Sequence, residues 1–407
     1  MANRIHPATD ETLQRIAAAV EIMAEPSRQR VYGFDLDMGN SDPAGCVTYA
    51  GENLNYTPAH MDYANDVFDY GDWEGAFFMP RPCMLSLAGT VEHYLDPNDL
   101  TKFEDGTASD VATSTTANAM MEWPTIWVRR WQAGNVYHFR CAPFEFEGSS
   151  CLANVNASGA IVPFYTPIYF GSLDGSGRLR SLSGGTNYVN TDTDEERAAA
   201  ALCGSGWEIE RMVDWLLIND LLVLMAKTRD SQTAFGHGVN GASAAIAQGT
   251  MNNKGLFYGK SDEVSGVKVF GMENFYGNIW RRLVGWVMVD GVQKIKLTVG
   301  TEDNSTGVGY NTTGVGYIEL SGATPSGTSG GYVSANKVTD HGLIPVTASG
   351  SATTYSCDGL WFNNSGTRLA YVGGSWSDGA RVGASYTALH NAPALRSSDI
   401  GAAPSYK

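Results

Sequence analysis

Charge is scarce in this chain of 407 residues: Lys, Arg, Asp and Glu together make up 17%, and acids outnumber bases 43 to 27. With a net charge of −16 and no basic cluster, general binding to nucleic acid or to an anionic membrane surface is excluded, because both rest on grouped Lys and Arg. Long apolar runs are missing as well. Leu221–Ala226 falls far short of the ~20 residues that cross a bilayer, and Asp214, Asn219 and Asp220 lie just before it. The opening residues Met1-Ala2-Asn3-Arg4-Ile5-His6 lack the apolar stretch of a secretory signal, so a soluble chain made in a cytoplasm is expected. The six cysteines (Cys46, Cys83, Cys141, Cys151, Cys203 and Cys357) include no CxxC pair. That spacing argues against a thiolate zinc site and against a disulfide framework, and for buried free thiols. His341 and His390 stand alone and read as core or surface residues.

What is abundant points elsewhere. Glycine numbers 47, aromatics make 11%, and 43% of residues are hydrophobic, enough for a sizeable core. Together these predict a β- and loop-rich protein of two or three domains. Residues 1–28 are expected to form an N-terminal helical segment, with Leu13, Ile16, Val20 and Met23 on one stripe that would serve either packing or oligomerisation. Residues 29–190 read as a β-rich domain, with strand-like runs at Cys83–Leu87, Thr125–Arg129 and Val136–Arg140 and a hairpin turn at Ala133-Gly134. The acidic stretch Asp62, Asp66, Asp69 and Asp72 reads as a solvated edge beside packed aromatics. Asp35-Leu36-Asp37-Met38-Gly39 opens like a calcium loop but lacks its closing Glu, and neither metal nor cofactor is expected. Ser181 to Asp194 looks like a polar linker and leads into a short helix. A buried helix is predicted from about Trp207, where Ile209, Val213, Leu217, Leu221 and Leu224 recur at helical spacing. Thr306–Tyr310 recurs as Thr313–Tyr317, suggesting related turns or a glycine-rich hairpin. Residues 301–407 carry only seven acids and five bases.

Three stretches near the C-terminal end stand out: Gly277-Asn278-Ile279-Trp280, Gly373-Gly374-Ser375-Trp376 and Asp399-Ile400-Gly401-Ala402. In this order they resemble the C-type-lectin-like fold found in formylglycine-generating enzymes and in the variable proteins of diversity-generating retroelements. The resemblance covers roughly residues 203–407. It implies an α+β protein, a β-rich N-terminal region followed by a C-type-lectin-like ligand-binding domain at 195–407. Formylglycine chemistry needs a redox-active cysteine pair, and beyond Cys203 only Cys357 remains, so no enzyme is expected. Met79–Met84, Tyr94–Asp99, Met120–Pro124, Phe170–Asp174 and Arg180–Gly184 resemble phage tail-fibre-like sequences that carry such a lectin-like end, which implies that 29–190 is a virion or assembly domain.

The retroelement resemblance implies a variable region at 370–402. Its diversified ligand-binding positions would be Ser375, Ser377, Asp378, Arg381, Tyr386, His390, Arg396, Ser397, Ser398 and Asp399. The scaffold of the site would include Gly373, Gly374, Trp376 and Trp280. Such a mixture of hydroxyls, both charge signs and aromatic rings suits an adaptable binding face on a rigid frame. The expectation is a phage receptor-binding, tropism-determining protein in the virion, in a tail or other host-contacting structure. It would form a homotrimer with other phage structural proteins as neighbours, and would contact a bacterial cell-surface protein or glycan. The alternatives are a phage depolymerase, for which Glu273, Glu302 and Asp303 are available carboxylates, and a bacterial surface lectin.

Overall fold

A computed structural model describes residues 30–296 and 310–407. The helical segment expected at 1–28, the first copy of the tandem repeat up to 309, and Glu302 and Asp303 lie outside the described residues. The fold is β-rich with few helices, 36% strand against 10% helix, which fits a mostly-β or α+β class.

Three sheets carry the described part. The first has the order Val47–Gly51, Tyr32–Asp37, Val136–Ala142, Trp127–Ala133. Its last two strands form the expected hairpin, with Val136 opposite Ala133 and Gly134 at positive φ in the turn. The second sheet has seven strands and draws on distant parts of the chain. Arg81–Ser86, Ala117–Trp123 and Phe164–Pro167 are extended by Pro404–Tyr406, which in turn pairs with Trp207–Ile209. The third sheet runs through Trp280–Val289, Thr367–Val372, Thr387–Leu389, Gly359–Phe362 and the long hairpin Gly331–Thr339/Gly342–Gly350.

Three α-helices occur among the described residues: α1 (Thr193–Ala201), α2 (Met212–Ala226) and α3 (Ser231–Phe235). Helix α1 opens on a capping box in which Asp192 and Glu195 satisfy each other's backbone amides. Helix α2 starts later than its periodicity suggests. Trp207–Ile209 leave the helix to pair with Pro404–Tyr406, because three buried residues gain a sheet partner there. The rest of α2 is buried nearly all round, and its acids are paired. Asp214 meets Lys407 Nζ at 3.0 Å. Asp220 takes Arg130 Nε at 2.7 Å and the Tyr137 hydroxyl at 3.0 Å.

The polar segment 181–194 does not hang free as a linker. Ser181 donates its hydroxyl to the Ala119 carbonyl, Val189 bridges Gly401, and Asn190 N donates to the Ser397 carbonyl. One hydrophobic core extends from Phe34 to Ala402, so the boundary expected near 190 has the same core and the same seven-stranded sheet on both sides. Of the acids at 62–72, Asp62 accepts from Ala64 and Asn65 and Asp69 from Gly71 in local turns, Asp72 accepts from Thr57 across the loop, and Asp66 pairs with Lys260 at 3.0 Å. Beside them Phe68 stacks on Phe257 at 4.5 Å. All six cysteines are free and buried.

His341, in the turn of the long hairpin, is only 2% exposed and neither ring nitrogen has a hydrogen-bond partner among the described residues. Burial, with help from Arg130 and Lys407, pushes its pKa down to about 4. In the unfolded chain the ring titrates near ~6.5. Because the folded pKa is depressed, the neutral ring's contribution is complete above that value and is lost as pH falls toward 4. At pH ~5 the loss should be about 2 kcal/mol. Urea unfolding at pH ~7 and ~5 should therefore show a smaller pH dependence in His341→Leu than in the parent. Equal pH dependence in both would refute the assignment.

Candidate functional site

The three motifs that stood apart in sequence meet in space. Gly277 and Asn278 both have positive φ, and Gly277 N donates to the Gly373 carbonyl at 3.0 Å. Trp376 N donates to the Asn278 carbonyl at 3.1 Å, while the Asn278 side chain accepts from Ile246 N at 2.8 Å. Ile400–Gly401 lies parallel to Trp280–Arg281, and Trp280 N donates to the Asp399 carbonyl at 2.9 Å. The glycines are sterically required. A Cβ at Gly374, where φ is +83°, would sit 2.8 Å from the Tyr386 ring and from Val382, and one at Gly401 would sit 2.3 Å from the Tyr188 carbonyl oxygen.

Beside this junction lies a cleft of about 200 Å³. Trp280, Trp361 and Tyr371 supply aromatic surface, and Asp378, His390, Asn391, Ser397 and Asp399 supply polar groups. Four of the ten expected ligand positions, Asp378, His390, Ser397 and Asp399, thus converge on one opening. Ser377 and Ser398 are exposed nearby in sequence, outside the cleft lining. Arg381 is half-buried, with its guanidinium 5.9 Å from the Tyr332 ring centre. Arg396 is exposed but tied down by Asp192 and Glu195, each at 2.7 Å.

Ser375 and Tyr386 are not surface positions. Ser375 is fully buried, and its hydroxyl donates to Asp378 Oδ2 at 2.7 Å while lying 3.4 Å from Asp399 Oδ2. Tyr386 is fully buried behind Trp280, ring centres 4.5 Å apart, and its hydroxyl accepts from Trp361 Nε1 at 2.5 Å. Both shape the site from behind. Of the expected scaffold, Gly373, Gly374 and Trp280 are buried and Trp376 is partly exposed. Trp361 and Tyr371 were not among the expected site residues. The run Gly359-Leu360-Trp361-Phe362, an aromatic pair after a glycine, was the available signal for the first. Tyr371, inside an apolar strand, gave none.

Burial raises the Asp378 carboxyl above the usual range, and the neighbouring charge of Asp399 adds to this against the hydrogen bonds from Ser375. Burial lowers the His390 imidazole, and Arg368 adds to the effect, favouring a neutral ring. Glu273 is remote from this chemistry. It is 1% exposed and accepts from the backbone amides of Met251, at 2.6 Å, and Gly249, so its role is structural. Among the described residues no group of three or more His, Cys, Asp or Glu could hold a metal ion.

No protein-family model matches the chain, and no curated protein matches it significantly.

The division between frame and display is measurable. Gly374→Ala should lower stability by about 2–4 kcal/mol through backbone strain and the clash with Tyr386. Ser398→Ala, at an exposed position, should change it by less than ~0.5 kcal/mol. Denaturant melts giving equal effects for the two would contradict the frame.

Proposed function

We propose that this protein is a recognition protein, a phage receptor-binding protein that engages a bacterial surface ligand through the cleft at Trp280, Trp361, Asp378 and Asp399. The observation that carries the reading is the convergence of four expected ligand positions on one aromatic-walled cleft beside a glycine frame. Rigid backbone beneath chemically mixed side chains is the arrangement a binding surface needs when its contacts change and its fold does not. The virion setting, the C-type-lectin-like identity of the C-terminal part and the homotrimer rest on the sequence resemblance. A trimer would present several such clefts, so that weak single contacts combine by avidity.

A carbohydrate-cleaving reading has one observation in its favour, two carboxylates at the same cleft bridged by the Ser375 hydroxyl. Release of reducing ends from host capsule, lost in Asp399→Asn while binding persists, would favour it over recognition alone.

Labelled protein incubated with a panel of bacteria should bind a susceptible subset. Trp361→Ala should weaken that binding at least about tenfold, the scale expected for a buried aromatic anchor. Leu54→Ser, at a residue 61% exposed and outside the cleft lining, should bind as the parent does. Equal binding by both variants would sink the assignment of the cleft.

A further inference from the structure

The cleft combines aromatic faces with a pair of carboxyl groups. Asp378 and Asp399 approach the same Ser375 hydroxyl, at 2.7 and 3.4 Å, and neither carboxylate has an ion-pair partner among the described residues. The arginine nearest in sequence to Asp399 does not fill the gap, because Arg396 is held by Asp192 and Glu195. Arg282 lies 5.5 Å from the Tyr371 ring but is committed to Glu196 and the Leu395 carbonyl. Arg381 is near enough to act on the charge of Asp378 but forms no ion pair with it among the described residues. Two carboxyl groups beside π faces therefore lack an ion-paired cation, and cation–π attraction and carboxylate charge favour the same kind of guest. Asn391 and His390 add polar groups suited to ring hydroxyls, Ser397 donates its hydroxyl to Asp399, and about 200 Å³ accommodates a unit the size of one pyranose ring.

Resting on the recognition reading above, we infer that the ligand is a glycan bearing a free amino sugar, whose ammonium sits between Asp378 and Asp399 while its ring packs against Trp361 and Trp280. A bare lysine side chain would satisfy the charges but leave Asn391 and His390 unused. An N-acetylated sugar would satisfy the ring contacts but leave both carboxylates without a counter-charge. The amino sugar is the class that uses both halves of the cleft.

The test is calorimetric titration of the full chain at mildly acidic pH with three probes: a tetramer of β-1,4-linked glucosamine, its fully N-acetylated counterpart, and tetralysine. The free-amine tetramer should bind at least about tenfold more tightly than either other probe. That binding should weaken with added salt and should drop at least tenfold in Asp399→Asn and in Asp378→Asn, with unchanged melting curves. Equal affinity for the acetylated tetramer, equal affinity for tetralysine, or indifference to both Asp substitutions would each overturn the inference. The two levels fail separately. If Trp361→Ala abolishes cell binding but the glucosamine tetramer does not compete for cells, the amino-sugar assignment falls and the recognition reading stands. If Trp361→Ala leaves cell binding intact, the recognition reading itself falls.

Discussion

Two adjacent arginines organise the C-terminal half. Arg281 and Arg282 are consecutive on the strand Trp280–Val289, so their side chains leave on opposite faces of the sheet, and both are fully buried. A buried guanidinium without partners would cost several kcal/mol, so each face must provide acceptors. On one side Arg281 meets Glu210 at 2.8 Å and the carbonyls of Glu273 and Asn274. On the other, Arg282 takes Glu196 of α1 and the carbonyl of Leu395. One short piece of strand thus fixes the helix that begins at Thr193, the approach to α2, the loop before Trp280 and the loop that ends in Asp399. Glu196 is itself held by the Thr191 hydroxyl at 2.6 Å, which extends the network into the segment preceding α1.

The cleft inherits its shape from that arrangement. The loop from Asn391 to Asp399 contributes Ser397 and Asp399, and it is anchored at both ends: Leu369 N donates to the Asn391 carbonyl, and Trp280 N to that of Asp399. Between those points Thr193 reaches the Pro393 carbonyl and Arg282 that of Leu395. The backbone is therefore committed to neighbours, while Ser398, Ala394 and Ala392 remain exposed. Carbonyl groups carry the fixation and side chains stay available, which is how a loop can be rigid and still chemically open.

How much of this was legible in the sequence varies by level. The β-rich class, the hairpin at Ala133-Gly134, the buried thiols and the aromatic packing beside Asp62–Asp72 followed from composition and turn chemistry, which act locally. The start of α2 was misplaced because Trp207–Ile209 have a partner almost 200 residues away, in Pro404–Tyr406, and no local window contains it. Ser181–Asp194 looked like a linker for the same reason: its polar groups are matched by Ala119, Ser397 and Gly401, not by neighbours in sequence. At the site, the glycine motifs announced the frame, since positive φ is a backbone demand that sequence expresses directly. They did not reveal that Ser375 and Tyr386 face inward, because the direction of a side chain in an irregular loop depends on what packs behind it.

The seven-stranded sheet bears on how the molecule is made. Tyr165 pairs with Tyr406, and Tyr406 with Trp207, so strands far apart along the chain share one hydrogen-bonded ladder. Closing such loops removes chain entropy before any contact compensates, so the native pairing belongs to the slow end of domain folding. Until it forms, Phe164–Pro167 presents an unpaired edge of four residues that are all buried in the native fold. That interval is when two copies of the chain at high concentration are most exposed to pairing with each other instead of with themselves.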